Sequence, residues 1–446
     1  MQDNRILLIS NTFFLKAGNQ SLYNTVMGLG KNGFTITIIT CANGNEYLTF
    51  DEIKDSNIYI IPVYLYSQII YRHIKNSFVI KKLTRLYKNL FSKDYVTPRN
   101  TYTDNQSNFS NDHNQWKSIV ALLEFMIRTR LILKKHVRYD VLWGYERTGA
   151  IITNHIRRKI PHNLFITSFQ GTVIYPYIGI YRKWRLIKEF PLEYFSHKIN
   201  ADLIIMTNDG TQGDKVLETF GHNKANIIFI PNGVQINNYS QDIAINNNIM
   251  GIISKNKYTF VTASRLVTWK RIDRSIEVFK ELLTLEPESH LIIVGDGPEK
   301  QNIELLIDKY SLSNNITLTG FLSHQSTLQV MKNASMLFSF CDFSNMTNSI
   351  QEAAYLNIPV ATINDGSTNS VLTEQNSVKA NISEGFAREI SSKIILFLEN
   401  SDRNRHSNKI TFTWDERMNT ISYEIRRRLQ SNKRDNFKNN SHRPGT

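Results

Sequence analysis

Two cations five positions apart, Arg265 and Lys270, are the residues whose spacing most clearly indicates chemistry. They follow an apolar run that ends at Ala263 and precede a segment with helical spacing of apolar residues, so both side chains can point at one pair of phosphates. A guanidinium offers phosphate oxygens a bidentate fork, and an ammonium offers a compact point charge. The spacing therefore favours a diphosphate site, and the alternative interpretation is a pair of solvated surface cations.

The pattern that commonly holds Mg²⁺ on a diphosphate, two aspartates spaced Asp-x-Asp, occurs nowhere in the sequence. The charge of a bound or departing phosphate must then be met by side chains and by the N-termini of helices, whose free amides attract anions. We therefore expect no metal and no other cofactor.

A second group of candidates lies at two further strand ends of the same half. Asn348 stands before a helical segment as a natural N-cap, with Gln351 at the third helical position, and the amides just before it are then free to face a ligand. The carboxylate of Glu352 can accept hydrogen bonds from two hydroxyls at once. The alternative is that its negative charge only interacts favourably with the positive end of the helix dipole. The candidates are Gly320, Ser344, Asn345, Met346, Thr347, Asn348 and Glu352.

Two candidates lie in the first half of the chain. Gly18 is in the loop between the first predicted strand and the first predicted helix, where a glycine lets backbone amides approach an anion or an acceptor. Glu146 comes just after a predicted strand. Its carboxylate either faces a cleft or is a surface charge, and the sequence leaves both interpretations open.

The elements that must position these residues follow the same order twice. Strand, helix and strand are predicted over residues 5–10, 21–29 and 34–40, and again over residues 258–263, 272–283 and 290–294. Two such starts in 446 residues predict two doubly wound α/β domains. We expect a first domain over residues 1–237, a second over 238–413, a last helix over 414–430 that packs back on the first domain, and a basic, disordered tail over 431–446.

Gly28, Gly30 and Gly33 match the dinucleotide pattern G-x-G-x-x-G. The pattern follows a helical segment and precedes a strand, whereas a dinucleotide site follows a strand and opens a helix. It therefore predicts the end of a helix, with glycines at positive φ, and not a site for NAD or FAD.

The candidate segments of the second half follow one another in an order that resembles family-4 glycosyltransferases of the GT-B fold. The resemblance covers residues 230–425 well and the first 235 residues more loosely. It implies two Rossmann-like domains facing across a cleft, an acceptor-binding domain first and a nucleotide-sugar-binding domain second, with the C-terminal helix crossing back to the N-terminal domain. The segments that carry it best are Ser264–Lys270, Val294–Pro298, Ile316–Phe321 and Phe338–Ala353.

The resemblance implies a metal-independent hexosyltransferase. The enzyme would move a hexosyl residue from a nucleoside-diphosphate sugar, with UDP favoured and GDP as the second choice, to a saccharide or lipid-linked saccharide acceptor. It would retain the anomeric configuration and serve cell-surface polysaccharide synthesis. Arg265 and Lys270 would bind the donor diphosphate, Glu352 the ribose hydroxyls, and Glu146 would be the candidate on the acceptor side.

The sequence departs from the family pattern at several positions. Ser344 replaces a glutamate that contacts the donor sugar in the family, and Arg271 replaces a glycine. Gln170 stands where a histidine is frequent, and Asp365-Gly366-Ser367 replaces a pair of glycines. These departures keep a second hypothesis open, a catalytically inactive sugar-nucleotide-binding homologue that acts as the partner of another transferase. A nucleotide-sugar epimerase is a further rival, but its cleft acids and histidines cannot be placed here.

The net charge of +14 favours anionic partners. No zinc, RNP or helix-turn-helix pattern appears, so nucleic acid is not expected as a partner. Residues 72–93 carry seven Lys and Arg and no acid, with apolar residues interleaved at helical intervals. Such a helix suits an anionic membrane surface, and the alternative is a solvated helix face; the basic aromatic cluster of residues 181–185 could add to the surface.

The location follows from three further observations. The two cysteines, Cys41 and Cys341, match no metal-ligand spacing and predict free thiols in a reducing compartment. The N-terminus lacks the pattern of a signal peptide, and no run of 18 apolar residues exists. We therefore expect a cytoplasmic protein, with docking at the inner face of the plasma membrane as the hypothesis that the basic segment adds.

Overall fold

The structure is a computed structural model of the chain. It describes residues 4–13, 20–42, 57–65, 112–133, 137–235, 247–400 and 412–441. These residues divide into two compact units. Unit 1 holds the described parts of residues 1–206, 214–229 and 418–446, and unit 2 holds those of residues 207–213 and 230–417.

Unit 1 is built on a seven-stranded sheet. Its strands are β1 (Arg5–Phe13), β2 (Thr35–Ala42), β3 (Ile58–Tyr64), β4 (Val141–Tyr145), β5 (Leu164–Phe169), β6 (Leu203–Thr207) and β7 (Ile227–Ile230). The spatial order is β3-β2-β1-β4-β5-β6-β7, and the pairs from β3 to β6 are parallel. Every residue of β4, β5 and β6 is buried, as expected of parallel strands covered on both faces.

The helices of unit 1 connect these strands. They are α1 (Gln20–Lys31), α2 (Asp112–Ile132), α3 (Glu146–Ile156), α4 (Lys183–Glu189), α5 (Pro191–His197) and α6 (Gly213–Thr219). As predicted, the glycine pattern at residues 28–33 closes α1 ahead of β2. Only Gly33 of the pattern has a positive φ, 77°; Gly28 lies inside α1.

Unit 2 repeats the same plan with six strands. They are β8 (Tyr258–Ala263), β9 (Ser289–Val294), β10 (Ile316–Gly320), β11 (Met336–Ser339), β12 (Val360–Ile363) and β13 (Ser377–Ala380). All pairs are parallel, in the order β10-β9-β8-β11-β12-β13. The order reverses between β8 and β11, and ligands of such sheets bind outside the carboxyl ends of the strands at this switch point.

The helices of unit 2 cover both faces of this sheet. They are α7 (Asn247–Lys255), α8 (Ile272–Leu285), α9 (Lys300–Lys309), α10 (His324–Asn333), α11 (Asn348–Tyr355) and α12 (Phe386–Glu399). One apolar cluster includes Phe260, Phe279 and Ile390, and the other includes Val261 and Ile350. Since Phe260 and Val261 are neighbours on β8, the alternation of a strand sends them to opposite faces.

The last helix, α13, runs over Trp414–Ser441 and belongs to unit 1 from Met418 onward. A Cβ on Gly28 would lie 2.4 Å from Cγ of Met418, a residue of α13. The close packing of α13 on α1 therefore requires glycine at position 28. The helix begins at Trp414, the position that the sequence predicts. The predicted disordered tail is wrong for residues 431–441, which continue the helix, and the predicted boundary at residue 237 lies outside the described residues.

Candidate functional site

The cation pair lies at the carboxyl end of β8, in unit 2. Arg265 is exposed, and Lys270 ends a single 3₁₀ turn, Thr268–Lys270. The Lys270 ammonium lies over the ring of Trp269, with Nζ 4.0 Å from the centroid. Trp269 in turn stacks on Phe343 at 4.8 Å. The aromatic pair therefore fixes the turn that carries Lys270.

The electrostatics of Lys270 show which groups surround its amine. Burial lowers the pKa of Lys270, and the nearby positive charge of Arg265 lowers it further. The Cys341 thiol, which is free, and the Asp209 carboxylate act in the opposite direction. The structure thus brings Arg265 and Lys270 together as predicted. An anion that binds both would favour the charged form of Lys270.

Two glycines after β9 hold the segment that carries Arg265. A Cβ on Gly295 would lie 1.9 Å from the carbonyl oxygen of Ser264, and one on Gly297 would lie 2.3 Å from that of Leu266. The Leu266 amide also donates to the Asp296 carbonyl at 3.0 Å. The backbones meet so closely that only glycine fits at these two positions.

The start of α11 differs from the prediction in its cap. The N-cap is Thr347, whose hydroxyl accepts a hydrogen bond from the Ile350 amide at 3.2 Å, and Asn348 is the first helical residue. The prediction of Asn348 as the cap is therefore wrong. Both are polar residues with cap chemistry, and backbone geometry decides between such neighbours.

The two residues before that cap are buried side chains. Asn345 donates to Asp365 at 2.6 Å, and Met346 packs in the apolar core. The amide of Met346 donates to the Asp209 carbonyl at 3.2 Å, so it is not free to face a ligand as predicted. The Ser349 hydroxyl donates to the Ala263 carbonyl at 2.6 Å, which ties the first turn of α11 to the end of β8.

Glu352 is paired with a histidine that sequence reasoning missed. Oε1 of Glu352 lies 2.7 Å from Nε2 of His324, at the start of α10. This hydrogen bond raises the pKa of His324, and burial only partly opposes it. The signal that could have found His324 is its place just after β10, which ends at Gly320 with φ 69°. Carboxyl ends of neighbouring parallel strands meet at one edge.

Ser344 contacts a second carboxylate that the sequence did not single out. Its hydroxyl donates to Oδ2 of Asp209 at 3.1 Å. Burial raises the pKa of Asp209 more than hydrogen bonds from Thr211 and Ser344 lower it. The backbone of Ser344 has φ 56°, in the left-handed region.

Arg271 explains another departure from the family pattern. Its φ of 51° is one that favours glycine. Its guanidinium bonds Asp273 and lies 2.9 Å from Oδ1 of Asp342. Arg274 reaches the same oxygen at 2.9 Å. These carboxylates stabilise the strained residue and raise the pKa of Arg271, which burial would otherwise lower.

In unit 1, Glu146 directly follows β4 with φ 61°. Its carboxylate accepts a hydrogen bond from the Gln170 amide at 2.9 Å and lies 3.5 Å from Arg147. Arg147 also bonds the buried Glu193 at 2.5 Å. Glu146 therefore holds the turn after β5, and only 16% of its side chain is exposed. Gly18 lies outside the described residues.

Metal ligands and membrane spans can be judged only for the part of the chain that the structure describes. Among these residues, no group of three His, Cys, Asp or Glu side chains is placed to hold a metal ion. None of the described helices is long and apolar enough to span a membrane. Residues 72–93 and their predicted basic helix lie outside the described part of the chain.

The profile of the family described as "Glycosyl transferases group 1" matches residues 248–413, which contain every candidate of unit 2. An uncharacterized glycosyltransferase of Methanocaldococcus jannaschii is 28% identical over 215 residues, 47% of this chain and 50% of the relative. The 2-deoxystreptamine N-acetyl-D-glucosaminyltransferase of Niallia circulans is 26% identical over 117 residues, 26% of this chain and 30% of the relative. The chain thus spans half or less of the length of these relatives.

Solved structures share the fold across nearly the whole chain. Sucrose-phosphate synthase of Thermosynechococcus elongatus aligns with a TM-score of 0.60 at 14% identity, over 96% of this chain and 94% of its own. HepE of Anabaena, solved in complex with UDP-glucose, aligns with a TM-score of 0.56 at 14% identity, over 97% and 98%. Residues 248–413 are therefore similar to the glycosyl transferases group 1 family, and the two units of the chain have the Rossmann-like fold of GT-B glycosyltransferases.

Proposed function

We propose that this protein is a retaining, family-4 type glycosyltransferase that moves a hexosyl residue from a UDP-sugar to a saccharide or lipid-linked saccharide acceptor. Its role would be cell-surface polysaccharide synthesis, and a GDP-sugar is the second donor to test. The observation that carries the proposal is the convergence of Arg265 and Lys270 with the first turn of α11, which Ser349 ties to the end of β8. HepE of Anabaena, a neighbour in fold, was solved with UDP-glucose, which supports the UDP-sugar.

The chemistry of this site suits a departing nucleoside diphosphate. When the glycosidic bond to the β-phosphate breaks, negative charge develops on the leaving oxygen. Arg265 and Lys270 stabilise that charge directly, and the N-terminus of α11 adds its dipole. The carboxylate of Glu352 accepts hydrogen bonds from the ribose hydroxyls. Removing one preorganised electrostatic group of this kind lowers the rate by about 10²- to 10³-fold.

Retention follows from the family's proposed same-face mechanism, in which the acceptor attacks on the side that the diphosphate leaves. Such a step needs no enzymic nucleophile. Two cations and a helix N-terminus suffice to neutralise the leaving group, so the proposed reaction is independent of metal.

The test is calorimetric titration with UDP, GDP, ADP and their sugar conjugates, with and without EDTA. We expect micromolar binding of one nucleoside diphosphate, unchanged by EDTA and lost in Arg265→Ala and Glu352→Ala. Arg388→Ala is the matched control, since this exposed arginine lies on α12 and its ion pair with Glu281 is long, at 3.7 Å. If the wild-type chain binds none of the nucleotides, the transferase function is wrong.

A second function is favoured by one observation, the hydroxyl of Ser344 in place of the family's glutamate. A homologue that binds the sugar nucleotide without turning it over could act as the partner of another transferase. Once nucleotide binding is shown, a single measurement distinguishes the two functions. Release of the nucleoside diphosphate from the bound donor, by transfer to an acceptor or by hydrolysis, supports the enzyme; intact donor after prolonged incubation with acceptor supports the partner.

A cytoplasmic location at the inner face of the plasma membrane is part of the proposal. The described surface that supports it lies on unit 1, where Ile180 is 74% exposed and Trp184 63% exposed. Arg182, Lys183 and Arg185 flank them. An exposed aromatic and aliphatic pair among cations suits an anionic lipid surface. Co-sedimentation with phosphatidylglycerol vesicles at low salt should fall in Trp184→Ala, and vesicle binding that ignores salt and lipid charge would contradict this role.

A further inference from the structure

Asp209 lies in a short loop after β6 that belongs to unit 2 together with the α11 loop. The two loops are held against each other. A Cβ on Gly210 would lie 3.0 Å from the amide nitrogens of Asn345 and Met346, and the Met346 amide donates to the Asp209 carbonyl at 3.2 Å. The backbone of Asp209 is therefore held beside the loop that carries Ser344.

The carboxylate of Asp209 keeps acceptor capacity. Oδ1 accepts hydrogen bonds from the amide and the hydroxyl of Thr211, at 3.1 and 2.5 Å. Among the side chains that the structure describes, Oδ2 accepts from the Ser344 hydroxyl, at 3.1 Å. Each carboxylate oxygen has two lone-pair directions, so Oδ2 can accept one more hydrogen bond. A partly desolvated acceptor of this kind binds a donor group strongly.

The surroundings decide which donor group that is. Asp209 is close enough to Lys270 to favour the charged form of the amine. A phosphate bound to Lys270 and the carboxylate of Asp209 would repel each other, so Asp209 is not a phosphate ligand. The group next to the diphosphate in a nucleotide sugar is the sugar, whose hydroxyls are hydrogen-bond donors.

We propose that Asp209 is a donor-sugar-binding carboxylate, whose Oδ2 accepts a hydrogen bond from a hydroxyl of the transferred hexosyl group. The inference rests on the proposed function. The loop after β6, which is distant in sequence from Ser344, would provide the carboxylate that the serine at position 344 does not. Ser344 becomes the residue that orients Asp209, while Arg265, Lys270 and Glu352 bind the nucleotide part.

The experiment compares UDP with UDP-glucose and UDP-N-acetylglucosamine on the full chain. Affinities come from calorimetry, and the rate of donor hydrolysis is measured without acceptor. In Asp209→Asn we expect UDP affinity within twofold of wild type, since the nucleotide contacts remain. The affinity for the better UDP-sugar, or its hydrolysis rate, should fall by about 10- to 100-fold, the range for a lost hydrogen bond to a charged group.

Asp308→Asn is the matched control, because Asp308 also accepts a serine hydroxyl, from Ser313 at 3.0 Å, but lies on α9. It should leave all three affinities unchanged. Equal losses for UDP and UDP-sugars in Asp209→Asn would overturn the inference, since Asp209 would then act through Lys270. Unchanged UDP-sugar affinity and hydrolysis would overturn it as well.

Two further outcomes separate folding and function from the inference. If thermal unfolding shows that Asp209→Asn is not folded, Asp209→Glu keeps the charge but displaces the oxygens. It should lower the affinity for the UDP-sugar and leave the affinity for UDP unchanged. Equal changes in the two affinities would overturn the inference. If the wild-type chain binds none of the nucleotides, the proposed function itself fails, whereas binding that Asp209→Asn does not change removes only the role of Asp209.

Discussion

Gly295→Ala should be the most damaging single-methyl change near the candidate site. The added Cβ would lie 1.9 Å from the Ser264 carbonyl oxygen, a backbone atom that cannot rotate away. The φ of 143° at Gly295 adds backbone strain of about 1–3 kcal/mol. Forcing the two backbones apart adds about 1–3 kcal/mol. We expect unit 2 to lose about 4 kcal/mol of its free energy of unfolding.

Two other glycines of unit 2 separate these contributions. Gly320 also has a positive φ, 69°, but a Cβ there would meet nothing within 4 Å. Gly320→Ala should therefore cost only the left-handed penalty, about 1–2 kcal/mol. Gly385 has open space and an ordinary negative φ, −123°, so Gly385→Ala should stay within about 0.5 kcal/mol of wild type.

The assay must report unit 2 alone, because a chain of two units need not unfold in one step. Hydrogen–deuterium exchange of peptides from β8 and β9, measured over a urea series, gives the local free energy of unfolding. The order of loss should be Gly295→Ala, then Gly320→Ala, then Gly385→Ala. If Gly295→Ala and Gly320→Ala differ by less than about 1 kcal/mol, the reasoning from close backbone approach is wrong.

The charged contacts give three further predictions. The pKa of His324 is raised by Glu352, so their pair stabilises the fold below the ordinary pKa of histidine and loses that contribution, about 1 kcal/mol, as the pH rises through the raised value. A histidine NMR titration should show the pKa of His324 lowered in Glu352→Gln, and an unchanged pKa would refute the pairing. Arg271→Ala should destabilise unit 2 by about 1 kcal/mol more than Arg271→Gly in urea unfolding, because alanine keeps the φ strain of 51° without the ion pairs. Equal losses in the two variants would show that the backbone at this residue relaxes. Glu193→Gln should destabilise unit 1 by about 3–5 kcal/mol, because it removes the buried carboxylate that Arg147 bonds. Burial would raise the pKa of Glu193, but Arg147 and His197 outweigh it and lower the pKa. The contribution of Glu193 should therefore be lost only as the pH falls through that lowered value, and a loss that begins near neutral pH would contradict this cause.

The sequence predicts the fold well where periodicity is local. The buried runs of β1, β2, β8 and β9 and the helices between them lie where apolar spacing places them, and Glu146 follows β4 as predicted. A parallel sheet brings the carboxyl ends of its strands to one edge, so the meeting of Arg265 and Lys270 at the end of β8 also follows from local pattern.

The contacts that complete the site are not local, and they were missed for that reason. Asp209 and Ser344 are 135 positions apart, and His324 and Glu352 are 28 apart. Each pair depends on the packing of loops that no periodicity specifies. The choice between Thr347 and Asn348 as the cap depends on φ and ψ at one residue, and single-residue boundaries are where pattern reasoning is weakest.

The departures from the family pattern have a common physical form. Arg271 and Ser344 both have left-handed backbone, a conformation that costs free energy at any residue other than glycine. Both are held there by carboxylates, Arg271 by Asp342 and Ser344 by Asp209. A strained residue persists only where its surroundings determine its conformation. A chain that had lost its ligand would have no physical reason to keep Asp209 partly desolvated beside Lys270, so this arrangement supports a site that still binds a ligand, as both the enzyme and the nucleotide-binding partner would.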